Sequence, residues 1–398
     1  MKTLTAAVLS TFAVLGCHTF AAEEAIVYTS PFMTEARVYA GDLNGGFHVL
    51  DRATGEKIWS RQFEGPSIFP PTVTDDIIVV PVLSGRMVGL DPETSEEIWS
   101  FAVGKVEHDI RDPLVNADGE VVGDGLLFSS EDFNVYMLDI ATGEERWRVT
   151  LGEETQARDI PVVDGVAYIG AWDGYLYAID IEKGEIIWRS DTENDHIGEI
   201  RFTPEQGNHF VSAKENGETR SKQLPFVSAA PVVMDDRVIF ADSAGNLLAV
   251  AKETGKQLWW FRPDNVANVR FAGPRYFIAE YKGVAYYSTV EDKRLFGVDA
   301  ETGKEVWRNA ADVTTYGPLQ LVDGIGMWVC VPENDWSKAE VRAFDMNTRE
   351  TLWTVSGVSG LRPHLEGNAA YFSLSDGSMR GYDLRTGKEI WKLSNGPN

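Results

Sequence analysis

One phrase is written eight times along this chain: an acidic residue opening a turn, Thr-Gly, three residues and a tryptophan. The copies are DRATGEKIW ending at Trp59, DPETSEEIW at Trp99, DIATGEERW at Trp147, DIEKGEIIW at Trp188, AKETGKQLW at Trp259, DAETGKEVW at Trp307, DMNTRETLW at Trp353 and DLRTGKEIW at Trp391. Successive tryptophans lie 40, 48, 41, 71, 48, 46 and 38 residues apart. All but one interval fits the roughly 40–50 residues of a four-stranded propeller blade. Every copy keeps the tryptophan, and only Ala251 replaces the opening aspartate.

The local pattern says what each copy builds. GVAYIG (165–170) and GYLYAID (174–180) alternate at the period of a strand, and Asp173-Gly174 between them predicts a hairpin turn of the Asp-Gly type. Thr142-Gly143, Thr254-Gly255, Thr302-Gly303 and Thr386-Gly387 supply a second turn, in which Gly takes positive φ and the Thr hydroxyl bonds the turn backbone. The following tryptophan brings a large apolar body with one N–H to satisfy. The expected fold is therefore all-β: an eight-bladed β-propeller of four-stranded antiparallel blades. Trp59, Trp99, Trp147, Trp188, Trp259, Trp307, Trp353 and Trp391 are placed structurally, docking one blade against the next.

The repeat resembles the PQQ-like propeller repeat, AxDxxTGxxxW, found in quinoprotein dehydrogenases and in the BamB-type outer-membrane assembly lipoproteins. The resemblance covers essentially the whole mature chain. It implies an architecture before it implies an activity.

At 398 residues and 43% hydrophobic, the chain exceeds an average domain, yet a propeller grows by adding blades, so residues 22–398 are read as one domain. A net charge of −25 argues against binding nucleic acid or an anionic membrane through a general field, and it also serves solubility. Residues 1–21 have the layout of a secretory signal: Met1-Lys2, an apolar stretch to Gly16, then Ala21-Ala22. Two cleavage readings compete. Val14-Leu15-Gly16-Cys17 resembles a lipobox, with Cys17 lipidated and His18 after it favouring the outer membrane. Thr19-Phe20-Ala21 instead suits an ordinary signal peptidase and a soluble periplasmic or secreted protein. No later segment approaches the ~18 consecutive apolar residues of a membrane span. Cys330 is then the only thiol of the body, expected to fill strand core.

Pro31, Pro71, Pro113, Pro161, Pro231, Pro274, Pro318 and Pro363 mark eight strand starts, where a missing N–H is tolerated. Ile26 to Thr29 is expected to dock beside the last blade and help close the ring. The long interval holds an insertion at about 191–224, polar and Gly-containing, which is either a recognition element or a tolerated loop. His196 and His209 within it lack metal-ligand spacing, and Asp191, Glu193 and Asp195 miss the glycine of a calcium loop, so no metal is assigned.

Residues just ahead of the Pro-containing strands should converge at one mouth of the central channel. They include Arg111, Asp112, Arg158, Asp159, Arg270, Tyr316 and Arg362, with Phe69 beside them. Arginines at a concave opening can take carboxylates by forked hydrogen bonds, and charged groups around a solvated channel can also simply pair with one another. Exposed aromatics such as Trp172 and Trp336 are weak candidates for a sugar site.

Three function classes remain. The resemblance implies either a noncatalytic extracytoplasmic scaffold, BamB-like in supporting outer-membrane β-barrel assembly with envelope-protein partners, or a PQQ- and Ca²⁺-dependent dehydrogenase. In the dehydrogenase Asp112 or Asp159 would act as base and the arginines would hold the cofactor carboxylates. The third class binds an anionic small molecule or glycan. Against the dehydrogenase stand the absent adjacent Cys-Cys pair, the absent CxxCH haem site and a chain shorter than is usual for quinoprotein alcohol dehydrogenases. The Leu- and Arg-containing contact loop expected of BamB is not found either. The scaffold, monomeric and without cofactor, is the expected function.

Overall fold

The computed structural model describes residues 31–42, 44–67, 69–104, 115, 119–152, 155, 159–191, 210–215, 218–223, 226–227, 230–243, 245–263, 278–289, 294–309, 314–332, 335–359 and 362–393. These form eight four-stranded antiparallel sheets, each from strands consecutive in sequence. Blades 1 to 8 span 32–62, 72–102, 120–150, 162–191, 232–261, 278–308, 314–356 and 364–393. Between blades 4 and 5 lies a separate hairpin, Phe210–Glu215 with Glu218–Gln223. No α-helix occurs among the described residues, so no helix there is long and apolar enough to cross a membrane.

The apolar residues make eight separate cores, one at each junction between neighbouring blades. Blade 1 meets blade 2 through Phe47, Val49, Ile78 and Val88, and blade 3 meets blade 4 through Leu127, Met137, Ile169 and Tyr177. The ring closes where blade 8 meets blade 1, through Tyr371, Met379, Leu393, Met33, Val38 and Leu50. Stability therefore resides in the blade-to-blade seams, as expected when each unit cannot bury its own faces alone.

The repeated tryptophans sit in these seams. Seven indole N–H groups donate to a backbone carbonyl of the next blade: Trp59 to Pro92 (3.1 Å), Trp99 to Ile140 (3.0 Å), Trp147 to Ile181 (2.9 Å), Trp188 to Lys252 (2.9 Å), Trp259 to Ala300 (3.1 Å), Trp353 to Leu384 (2.7 Å) and Trp391 to Arg52 (3.0 Å). The acceptor is always the residue after the motif's opening position. Trp307 packs in the seam between blades 6 and 7 and carries the Arg349 guanidinium over its ring at 5.5 Å.

The Thr-Gly turn explains the remaining letters of the motif. A Cβ on Gly143 would lie 2.5 Å from Trp99 of the preceding blade, and one on Gly303 would lie 2.7 Å from Trp259. At these two positions glycine is favoured by contact as well as by its φ of +72° at Gly143 and +70° at Gly303. Ser95 and Arg349 occupy the same position in blades 2 and 7 at φ 62° and 65°. Each opening aspartate ties the turn: Asp51 accepts from the Thr54 backbone (2.7 Å) and hydroxyl (2.9 Å), and Thr54 Oγ1 accepts from the Glu56 N–H. A one-residue bulge follows in every blade; in blade 1, Val49 pairs with Trp59 and Leu50 with Lys57, leaving Ile58 as the extra residue.

Two local expectations are corrected. The 171–174 loop is wider than a two-residue Asp-Gly turn: Ala171 N–H reaches the Tyr175 carbonyl at 3.0 Å, and of the four residues only Gly174 has positive φ. The cause is Asp173, whose buried carboxylate turns inward to accept from the Tyr177 hydroxyl and from the Tyr175 N–H. The two-residue form instead joins first and second strands, at Asp164-Gly165 and Asp323-Gly324, where both residues have positive φ. Pro318 does not begin its strand. It lies inside Thr314–Val322, where the register slips between Tyr316 and Gln320, and a bulge frees it from donating to the ladder. Ile26 to Thr29 lies outside the described residues.

Because the strands alternate in direction, the motif turns fall on one face of the ring. The second-to-third-strand turns and the connections between blades fall on the other, hereafter the mouth face.

Candidate functional site at the channel mouth

The mouth is built by residues entering or beginning the first strand of each blade. Arg362 precedes Pro363 and blade 8, and Asp159 precedes Pro161 and blade 4. Blades 4 and 8 are diametrically opposed in a ring of eight. Even so, Arg362 Nη1 donates to Asp159 Oδ1 at 2.7 Å. The pair crosses the axis, which identifies the first strands as those lining the channel. With the two side chains 34% and 41% exposed, solvent screening holds its contribution to about 0–1 kcal/mol. It fixes what the mouth presents more than it holds the ring together.

Glu120, the first residue of blade 3, joins this cluster. Although Glu120 is exposed, crowding in the mouth raises its carboxyl above the ordinary carboxylate range through partial desolvation; the Asp159 charge adds to the rise, and Arg362 opposes it. On the Arg362 side, burial lowers the His364 imidazole; Glu366 opposes this, and the Arg52 and Arg362 charges add to it. Arg52, in the motif turn of blade 1 on the opposite face, is held by Glu366 at 2.6 Å and lies 4.8 Å over the Tyr371 ring, tying blade 1 to blade 8 away from the mouth. The described part of the mouth thus contains two carboxylates and one arginine already engaged by one of them. It does not offer Arg362 as an open fork for a free anion.

Of the residues placed here from sequence, Asp159 and Arg362 meet, from opposite blades. Arg111, Asp112, Arg158 and Arg270 lie outside the described residues, as does Cys17. Tyr316 lies in the first strand of blade 7, with its side chain outside the description. Phe69 is buried. Trp172 stacks on Phe226 with ring centroids 4.8 Å apart, Cys330 is buried in strand Ile325–Val331, and His196, His209 and the side chain of Trp336 are not described. Among the described residues no group of three or more His, Cys, Asp or Glu could hold a metal, so the oxygen cage that Ca²⁺ takes is not assembled there.

A second set of acids escaped the sequence reading. In the mouth-face turns, Asp42, Asp132, Asp173 and Asp242 are buried carboxylates. Asp42 is pushed up by burial, but hydrogen bonds from His48 and from the Gly46 and Asn44 N–H groups outweigh this and hold it low. Asp132 accepts from the Tyr136 hydroxyl and from Gly104 N–H (2.7 Å), pinning the connection from blade 2 to the turn of blade 3. Burial raises Asp173, with the Tyr177 hydroxyl bond opposing. The available signal was an Asp just after each second strand, in GD, ED, WD and AD.

Fold and seam chemistry together define an eight-bladed propeller of PQQ-like repeats. A family model described as outer membrane protein assembly factor BamB matches residues 18–160, 84–260, 173–284 and 267–397, and the chain belongs to that family. The chain is 23% identical over 243 residues to the outer membrane protein assembly factor BamB of Yersinia pestis, an alignment spanning 56% of this chain and 60% of that protein. It is also 21% identical over 365 residues to a tetrathionate hydrolase of Acidithiobacillus ferrooxidans, covering 76% and 72% of the two chains. The crystal structure of BamB from Moraxella catarrhalis superposes with a TM-score of 0.55 at 16% identity, covering 75% of this chain and 80% of that one, and shares the fold.

Proposed function

We propose that this protein is a noncatalytic extracytoplasmic scaffold that supports assembly of outer-membrane β-barrel proteins by holding envelope proteins against its rigid ring. The observation that carries the reading is the family match, which runs from residue 18 to residue 397 and so takes in all eight blades. The geometry supports it in two ways. The tryptophan seams make a stiff platform, and the Arg362–Asp159 pair fills the described part of the mouth with groups that satisfy each other. Export by residues 1–21, with Cys17 either lipidated or removed, would place the ring in the periplasm or at the inner face of the outer membrane, without a cofactor.

The similarity to a tetrathionate hydrolase supports a second, catalytic reading. One preparation tests both. The tagged full-length protein is expressed in its own envelope, crosslinked and captured, and the mass of its mature N-terminus is recorded. Recovery of the barrel-forming assembly protein, with no turnover of tetrathionate by the purified chain, is the expected result. Tetrathionate turnover without any barrel-assembly component would overturn the scaffold.

A further inference from the structure

We infer that the outer strand of blade 5, Gln257–Phe261, is a docking edge to which an extended acidic segment of a partner protein adds as a fifth strand. This inference concerns the rim rather than the mouth, and it does not rest on the proposed function.

The strand ends its sheet, pairing only with Leu247–Ala251 among the described strands, so one edge of its backbone faces outward. Such edges are usually guarded by charge or polarity. The residue after the motif tryptophan performs that duty in the other blades, as Ser60, Ser100, Arg148, Arg189, Arg308, Thr354 and Lys392. In blade 5 it is Trp260, 51% exposed and the one aromatic among the exposed large apolar side chains of the described residues. Leu258, two residues earlier, is 48% exposed, and Lys256 before it is exposed as well. Leu258 is the bulge residue of this strand and Lys256 stands just before it, so Lys256, Leu258 and Trp260 form a row of alternate exposed side chains along the edge.

Charge selects the occupant. Residues 251–262 carry three cations, Lys252, Lys256 and Arg262, against the single anion Glu253, on a chain of net charge −25. The same segment of blade 2, 91–102, carries four acids and no base. Blade 5 is also the copy in which Ala251 stands where the others have Asp. Lys252 is held by Asp164 at 2.6 Å, which leaves exposed Lys256 to meet a partner. A partner segment with apolar residues at alternate positions and acids between them matches backbone edge, aromatic and charge together, which is the recognition mode of strand addition.

The test uses the full chain and a fluorescein-labelled ten-residue peptide alternating Val and Glu, with its Val/Lys counterpart. Saturable binding of the Glu peptide is expected. It should weaken at least tenfold in Trp260→Ser, which installs the residue type of blades 1 and 2, weaken in Lys256→Glu, and persist in Ile98→Ser on blade 2. Amide exchange over residues 257–261 should slow in the complex. Equal binding of the Lys peptide, indifference to Trp260→Ser, or unchanged exchange would overturn the proposal. So would Trp260-dependent binding to phosphatidylglycerol vesicles without peptide binding, which would make the row a lipid contact.

Discussion

The Trp391 indole donates to the Arg52 carbonyl at 3.0 Å, joining the last blade to the first across 339 residues of chain. Six other seams use the same bond between blades adjacent in sequence, so this one alone also carries ring closure. Trp391→Phe keeps most of the apolar contact but orphans the carbonyl, and should cost about 1–3 kcal/mol. Trp391→Ala should cost about 3–5 kcal/mol through the cavity it leaves. Urea unfolding of both variants checks the order.

Gly143 and Gly165 separate contact from conformation. Both have positive φ, but a Cβ on Gly143 meets the Trp99 ring at 2.5 Å, whereas nothing lies within 4 Å of one on Gly165. Gly165→Ala should cost about 1–2 kcal/mol of backbone strain alone. Gly143→Ala should cost clearly more, because it must also open a seam. Ser95→Gly, relieving a serine at φ 62°, should stabilise by about 1 kcal/mol. Thermal unfolding of the three variants would reveal whether the ranking holds.

Acid should loosen the motif turns in concert. Hydrogen bonds from Thr54, Thr94, Thr302, Thr348 and Thr386 hold Asp51, Asp91, Asp299, Asp345 and Asp383 below the ordinary carboxylate range, while Arg146 and Lys183 chiefly do so for Asp139 and Asp180. A depressed folded value means that the unfolded chain takes up protons first. The stabilisation is therefore complete above about pH 5 and is lost as pH falls through about 4 and below. Chemical denaturation at pH 7, 5 and 3.5 should show most of the decline in the last interval, and Asp51→Asn should shrink it.

Glu120 carries the opposite sign. Its folded value is raised, so its charge weighs against the fold as pH climbs through the ordinary carboxylate range. Because the side chain is exposed and screened, Glu120→Gln should stabilise only slightly at pH 7 and change little at pH 3.5. The coupling between Arg362→Ala and Asp159→Ala should be about 1 kcal/mol or less in a double-mutant cycle, as befits a partly exposed pair. A coupling several-fold larger would mean that the pair is a strut of the ring.

Much of the fold was legible because the motif encodes a seam: tryptophan, acceptor carbonyl and glycine recur at fixed offsets, and eight copies fix eight blades. The mouth was legible only as a neighbourhood. Strand starts told that Asp159 and Arg362 approach the axis, but their pairing across the ring depends on blades four apart, which no local pattern records. Asp173 misled for a related reason. Its turn letters read as a hairpin turn of the Asp-Gly type, whereas a tyrosine four residues on draws the carboxylate inward. Glu120 gave no signal, since its raised carboxyl comes from desolvation in the assembled mouth and from Asp159 of blade 4, neither of which its own strand records.

The proposed function makes the ring a platform rather than a reaction chamber. Its most direct test is titration of the purified, signal-free propeller with pyrroloquinoline quinone and Ca²⁺, following tryptophan quenching and dye-linked alcohol oxidation, with Arg362→Ala beside the parent. The account predicts no saturable quenching at micromolar cofactor and no oxidation. Saturable binding with turnover, abolished by Arg362→Ala, would contradict it and make the mouth a cofactor site.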